Sequence, residues 1–335
     1  MNTRPDIYVK NNRNTGKRSV VAGLTLLSIL LISLPPFMGP YGESMITQIL
    51  IFSIFAMGLN IVVGYTGLFS MGHAAFFGVA GYTAGIMMVN YGIVNFWIIA
   101  PISIVLATLF AALFGIIALR VSGLYFLFVT LALGELLHSV AWKWRSMTGG
   151  ADGLTGIPYP SLGFPFNMNA THFYYLVFII FVVSVGLLYG IAKSPFGSAL
   201  QGIREDEHRM QHLGYNTWMY KYLAFIIAGF FSGVSGMLFA SFANVMAPEH
   251  LGVHTATLAV LMIILGSDRV FFGPMIGATI VLFLQYYAST FAPERWPLIL
   301  GTVFVLSVMF LRGGISIHLI KFWNKMGSWY ASTKT

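Results

Sequence analysis

Glu135 and His138 lie one helical turn apart in a stretch, 121–141, that carries no other charge. An ionisable group inside an apolar helix is costly to bury and is a functional candidate for that reason. Such a pair could relay a proton or line the path of a polar solute. Alternatively, it could bridge two helices as a neutral or paired acid. A second group, Asn60, Gly64, Thr66, Gly67, Ser70, Gly72 and His73, forms a polar, glycine-rich break between apolar runs. Glycines there free backbone amides and carbonyls to meet a zwitterionic solute, or simply make a short turn. A third group, Arg204, Glu205, Asp206, Glu207, His208 and Arg209, concentrates charge within six residues.

None of these is a catalytic constellation. The chain has no cysteine, which removes disulfides and thiolate chemistry. His73 has no second histidine or carboxylate at metal-ligand spacing, so no metal site is expected. The one Gly-Lys pair, Gly16-Lys17, lacks the rest of a phosphate-binding loop. No nucleophile elbow or zinc-protease motif occurs. If nucleotide hydrolysis powers this protein, a separate subunit performs it.

The elements that must carry these residues follow from composition. Of the 335 residues, 57% are hydrophobic and 8% charged, against about 25% charged in soluble domains. Mean hydropathy is +0.81. Between Glu43 and Arg120 no Asp, Glu, Lys or Arg occurs in 76 residues, room for three spans of about 20 residues each. The chain reads as an all-α polytopic membrane protein with about ten spans: 20–38, 45–63, 70–90, 96–118, 121–141, 172–192, 222–245, 254–266, 270–289 and 297–311. Span 254–266 is short enough to be broken or re-entrant. The basic N-terminus before the run 20–34 resembles a signal peptide, but it continues into Pro35-Pro36 without a clear cleavage site and reads as an uncleaved span.

Charge sets the orientation. With residues 1–19 inside as a basic tail, fifteen of the 18 Lys and Arg residues fall on the inner side, and only Lys143, Arg145 and Arg295 outside. The transmembrane domain is then 20–311, with a tail 312–335 that reads as an interfacial helix on the inner side. Both termini are expected in the cytoplasm. All seven Trp fall at or beyond span ends, the depth that indole prefers. The net charge of +8 reports this orientation rather than nucleic acid. Three GxxxG pairs, Gly81/Gly85, Gly229/Gly233 and Gly273/Gly277, predict close helix contacts.

Two longer loops remain, one outside at 142–171 and one inside at 193–221. In the inner loop Ser194 is a helix N-cap, Pro195 a first helical residue and Gly214 a left-handed terminator. Phe196, Leu200, Ile203, Met210 and Leu213 recur at near-helical spacing between them. This predicts one amphipathic helix with a charged centre, suited to docking in a groove of another protein or to lying at the membrane surface.

The inner loop resembles the EAA-type cytoplasmic loop of ABC-importer permeases, particularly the branched-chain amino acid group of the LivM type. Three further stretches match that group in order: GLNIVVGYTGLFSMGHAAFFGVAGYTAG (58–85), TGGADGLTGIP (148–158) and LGSDRVFFGPMIGA (265–278). YKYLAFIIAGFFSGVSGMLFA (220–240) extends the match over most of the chain. Two differences stand out: His208, Arg209 and Met210 occupy the place of paired alanines, and Ser267, Asp268 and Arg269 replace a glycine-rich turn.

The resemblance implies a non-catalytic permease subunit in the bacterial inner membrane, importing branched-chain or related amino acids, or a short amide such as urea. It implies a second homologous permease, two cytoplasmic ATPase subunits that bind ATP and magnesium, and an extracytoplasmic solute-binding protein. It makes Ile203, Arg204, Glu205, Asp206, Glu207, His208, Arg209, Leu213 and Gly214 the coupling residues. Asn60, Thr66, Ser70, His73, Glu135 and His138 become candidates for the path or gate. Gly149, Gly150, Asp152, Gly153, Thr155 and Gly156 become the docking or outer-gate surface, unless that loop is a packed cap. The competing classes are a proton-driven secondary transporter using Glu135 and His138, and a membrane enzyme, for which clustered catalytic groups are missing.

Overall fold

A computed structural model describes residues 39–163, 168–291, 295–310 and 314–316. Contacts divide the chain into two units, Met1–Ser44 and Met45–Thr335. Of the first, only the opening turn of a helix lies among the described residues. Among its described residues the second is helical apart from one two-stranded pairing and an isolated bridge between Asn95 and Ser161.

Among the described residues, six helices are long and apolar enough to cross a membrane. They are α1 (Pro40–Thr66), α3 (Phe96–Ala118), α4 (Leu124–Lys143), α6 (Ala170–Lys193), α9 (Thr217–Ala243) and α11 (Gly273–Phe291). Between them stand α2 (His73–Val89), α5 (Arg145–Thr148), α7 (Pro195–Glu205), α8 (Glu207–His212), α10 (Val253–Gly266) and α12 (Trp296–Phe310). At about 1.5 Å per residue, α2, α10 and α12 are shorter than a bilayer core of about 30 Å. The expected span 20–38 and most of the tail 312–335 lie outside the described residues.

The core forms where glycine lets helices touch. From Leu50 to Ile61, α1 is enclosed by protein, and Phe52 and Phe55 meet Phe77 of α2 with ring centres 5.9 and 5.1 Å apart. A Cβ at Gly58 would lie 2.6 Å from the Phe231 Cβ of α9, and one at Gly236 would strike the Phe77 carbonyl. The pairs at Gly229/Gly233 and Gly273/Gly277 are helix contacts, as expected. Gly229 and Gly233 face Ala111 and Ala107 of α3, and Gly277 faces the Met262 carbonyl of α10. Gly81 also meets a helix, with its Cβ position 3.1 Å from the Gly236 carbonyl of α9 and beside the Met246 side chain, whereas Gly85 meets the Leu154 and Ile157 side chains of the 142–171 loop. Outside this core, α3 presents Ile98, Ile102, Val105, Leu109 and Leu113 as an exposed apolar stripe, as a lipid-facing or subunit-facing helix must.

Helix ends follow local chemistry. Gly123, at φ 60°, starts α4 three residues later than the apolar run suggests. The Asn95 side chain accepts from the Trp97 amide at 3.0 Å to begin α3. Trp97, Trp142, Trp144 and Trp218 all stand exposed at helix ends.

Candidate functional site

The inner loop is anchored on one face and bare on the other. Ser194 caps α7 by accepting from the Gly197 amide at 3.3 Å, and Pro195 opens the helix. Ala199, Leu200 and Ile203 are buried, and the Phe196 ring stacks on Tyr220 of α9 with centres 5.5 Å apart. The expected single helix is corrected here. Asp206, extended at φ −157°, ψ 97°, ends α7, and its carboxylate accepts from the Arg209 amide at 3.0 Å to start α8. An aspartate side chain competes with the helical backbone for such an amide, and that bond with the Arg209 amide holds the Asp206 carboxyl below the usual carboxylate range. No residue of α8 is buried. Beyond it Leu213 is 66% exposed, and Gly214, at φ 88°, reverses the chain as its position suggests.

The nine coupling candidates therefore divide. His208, Arg209, Leu213 and Gly214 line the open side, with Arg209 reaching back to Asp206 at 3.4 Å. Glu207 is tied to Lys221 of α9 at 2.5 Å. Ile203 points into the core, and Arg204 turns away from solvent. Its guanidinium donates to the Gly64 carbonyl at the end of α1 and meets the Asp268 carboxylate at 2.6 Å. The Asn60 amide donates to the Asp268 backbone carbonyl at 3.4 Å. Thus three stretches that sequence reading treats separately converge on one junction. Gly64, Tyr65, Gln201, Arg204, Glu205, Asp268 and Arg269 line a cavity of about 280 Å³ there.

Of the path candidates, Asn60 belongs to this junction and the others of the 60–73 stretch lie in the core. Thr66 donates to the Val62 carbonyl at 2.7 Å. Ser70 and the His73 Nδ1 are 2.8 Å apart. His73 is 1% exposed, with Phe225 and Phe76 against its ring at 4.6 and 5.3 Å. Gly72 packs on the Thr130 carbonyl of α4, and the Met71 amide donates to the Thr130 hydroxyl at 3.2 Å. Glu135 and His138 are brought together, Oε2 to Nδ1 at 3.3 Å, with side chains 39% and 25% exposed. Both face Gly252, at the end of the short 3₁₀ turn Pro248–Leu251.

The glycine-rich loop is folded rather than open. Strand β1 (Leu154–Thr155) pairs antiparallel with β2 (Val245–Met246), setting Leu154 opposite Met246. Gly149, Gly150, Gly153 and Gly156 all have positive φ, so their spacing records tight turns. The Gly156 and Ile157 amides donate to the Asn244 carbonyl at 3.0 and 3.2 Å. Asp152, Thr155 and Gly156 are exposed, while Gly150 and Gly153 are buried. The Thr148 hydroxyl donates to the Ala141 carbonyl at 2.6 Å and closes the turn after α4. On the facing segment, the Ala247 amide donates to His250 Nδ1 at 3.1 Å, and burial lowers the His250 pKa.

Sequence comparison decides what this arrangement is. Residues 42–311 match the branched-chain amino acid transport system permease component family. The chain belongs to that family. This permease is a non-catalytic, multi-pass membrane subunit. It is 29% identical over 317 residues to the high-affinity branched-chain amino acid transport system permease protein LivM of Escherichia coli, covering 87% of this chain and 74% of that one. The LivM protein of Salmonella typhimurium is 28% identical over the same extent. A tyrosine transport system permease protein of Clostridioides difficile is 27% identical over 290 residues, 83% of this chain and 93% of that one. No solved structure matches.

Sequence reading missed Asp268 as a site residue and Lys221 as the partner of Glu207. A carboxylate at a span end, facing an arginine-bearing loop, was the available signal for the first. The 248–252 segment, opposite Glu135, carried no motif that pointed to α4.

Proposed function

We propose that this permease forms half of the translocation path of an ATP-driven importer for branched-chain or related amino acids. The observation that carries the reading is the division of the inner loop: α7 is packed into the permease, whereas α8, tied back through Glu207 to Lys221, has no buried residue and Leu213 is exposed. A short exposed helix with an apolar residue among charges suits the cleft of a partner protein, here the ATPase. The exposed Asp152, Thr155 and Gly156 suit a binding protein at the opposite end. On this reading the chain crosses the membrane about ten times with both termini inside, beside a second homologous permease, two ATPases and an external binding protein. The relatives are named for branched-chain amino acids and for tyrosine, which share the α-amino acid group and differ in side chain. The α-ammonium and α-carboxylate are therefore the features the path must accept, and the binding protein selects the side chain.

Arg209→Glu and Leu213→Asp test the docking face directly. The permease variants should insert normally but lose co-purification with their ATPase. Full retention of the ATPase by both would remove the docking role of α8.

A further inference from the structure

Arg204 sits among the charges of the inner loop, yet its side chain is directed into the permease. It is 28% exposed, as is Asp268, and the two close at 2.6 Å. The same guanidinium donates to Gly64, so one residue of α7 binds both the end of α1 and the turn between α10 and α11. The fit around it is close. A Cβ at Gly64 would overlap Asn60 Oδ1 and the Asp268 carbonyl, and one at Gly67 would lie 3.2 Å from Arg204 Cγ. The turn itself is under constraint: Ser267 has φ 112°, a conformation rarely adopted by residues other than glycine, and is 1% exposed. Such backbone persists only where surrounding contacts over-determine it. Asp268, the next residue, is held by Arg204 through its side chain and by Asn60 through its carbonyl.

Covalently, α7 is joined only to α6 and, through α8, to α9. Movement of α7 therefore reaches α1 and α10–α11 through packing and through this junction. We propose that the Arg204–Asp268 pair is the tie by which displacement of the coupling loop is passed to α1 and to the α10–α11 turn. It is a positioning device for transport, and it rests on the reading of the inner loop as the ATPase-coupled element. A guanidinium suits the role because its planar fork can bind a carbonyl and a carboxylate together.

The test uses the complete transporter in vesicles, with uptake and ATP hydrolysis measured on the same preparation. Asp268→Asn should keep ATPase bound and hydrolysing, while uptake per ATP falls at least about threefold. The natural chain has no cysteine, so R204C/D268C provides a second measurement. It should show the same deficit, relieved by a short bis-methanethiosulfonate that joins the two cysteines through disulfides and returning when a thiol reductant cleaves them. Wild-type uptake per ATP in Asp268→Asn and in the uncross-linked cysteine pair would overturn the tie. So would parallel loss of hydrolysis and uptake with loss of bound ATPase, which would make the pair a scaffold for assembly. Absence of ATP-dependent uptake in the wild-type complex would instead overturn the coupling reading beneath it.

Discussion

Glu135 and His138 show how a single ionisable pair is accommodated in an apolar helix. Their 3.3 Å contact gives each a partner, and both face Gly252. We infer that they bridge α4 to the segment before α10. Glu135→Gln should retain uptake within about twofold, because its amide can donate to the same imidazole nitrogen. A loss beyond tenfold in vesicle uptake would give the charge itself a role in the path. Glycine positions make a sharper demand. A Cβ at Gly229 would collide with that of Ala111, so Gly229→Val should destabilise the helix pair by about 1–3 kcal/mol, seen as a lower thermal unfolding temperature in detergent. His250 gives a pH signature. Its folded pKa lies below the ordinary 6.5, so the neutral ring's contribution is complete above that value. It is lost as pH falls through the lowered value and the ring can no longer accept from the Ala247 amide. Hydrogen exchange at 245–251 should accelerate on acidification through that window, and His250→Gln should abolish the pH dependence.

At the scale of elements, period and capping made most helices legible in the sequence. Ser194, Pro195 and Gly214 mark the limits of the inner loop because each acts within one turn of chain. The break at Asp206 was hidden, since the same residue suits both a charged helix centre and an internal cap. The 142–171 loop was half legible: its glycines announced turns, but pairing with Val245–Met246 joins segments about ninety residues apart and has no local signature. Asp206→Ala should merge or fray α7 and α8, reducing ATPase co-purification while leaving insertion intact.

The whole molecule follows from where charge and apolar surface are placed. Scarcity of charge marked the class, and the basic residues gave an orientation. The Arg204–Asp268–Gly64 junction was not legible, because it joins residues 64, 204 and 268, which only packing brings together. The orientation is testable on a chain free of natural thiols: Asp152→Cys should react with an impermeant maleimide on intact cells, and Arg209→Cys only after permeabilisation. The reverse pattern would invert the topology.

On the proposed function, this permease transports only as part of an ATP-driven complex. Uptake of a radiolabelled branched-chain amino acid should be measured in vesicles holding this chain with its second permease, ATPases and binding protein. Uptake should require internal ATP and a hydrolysis-competent ATPase and should be unchanged by a proton uncoupler. Uptake by this chain alone, driven by a pH gradient and abolished by the uncoupler, would contradict it.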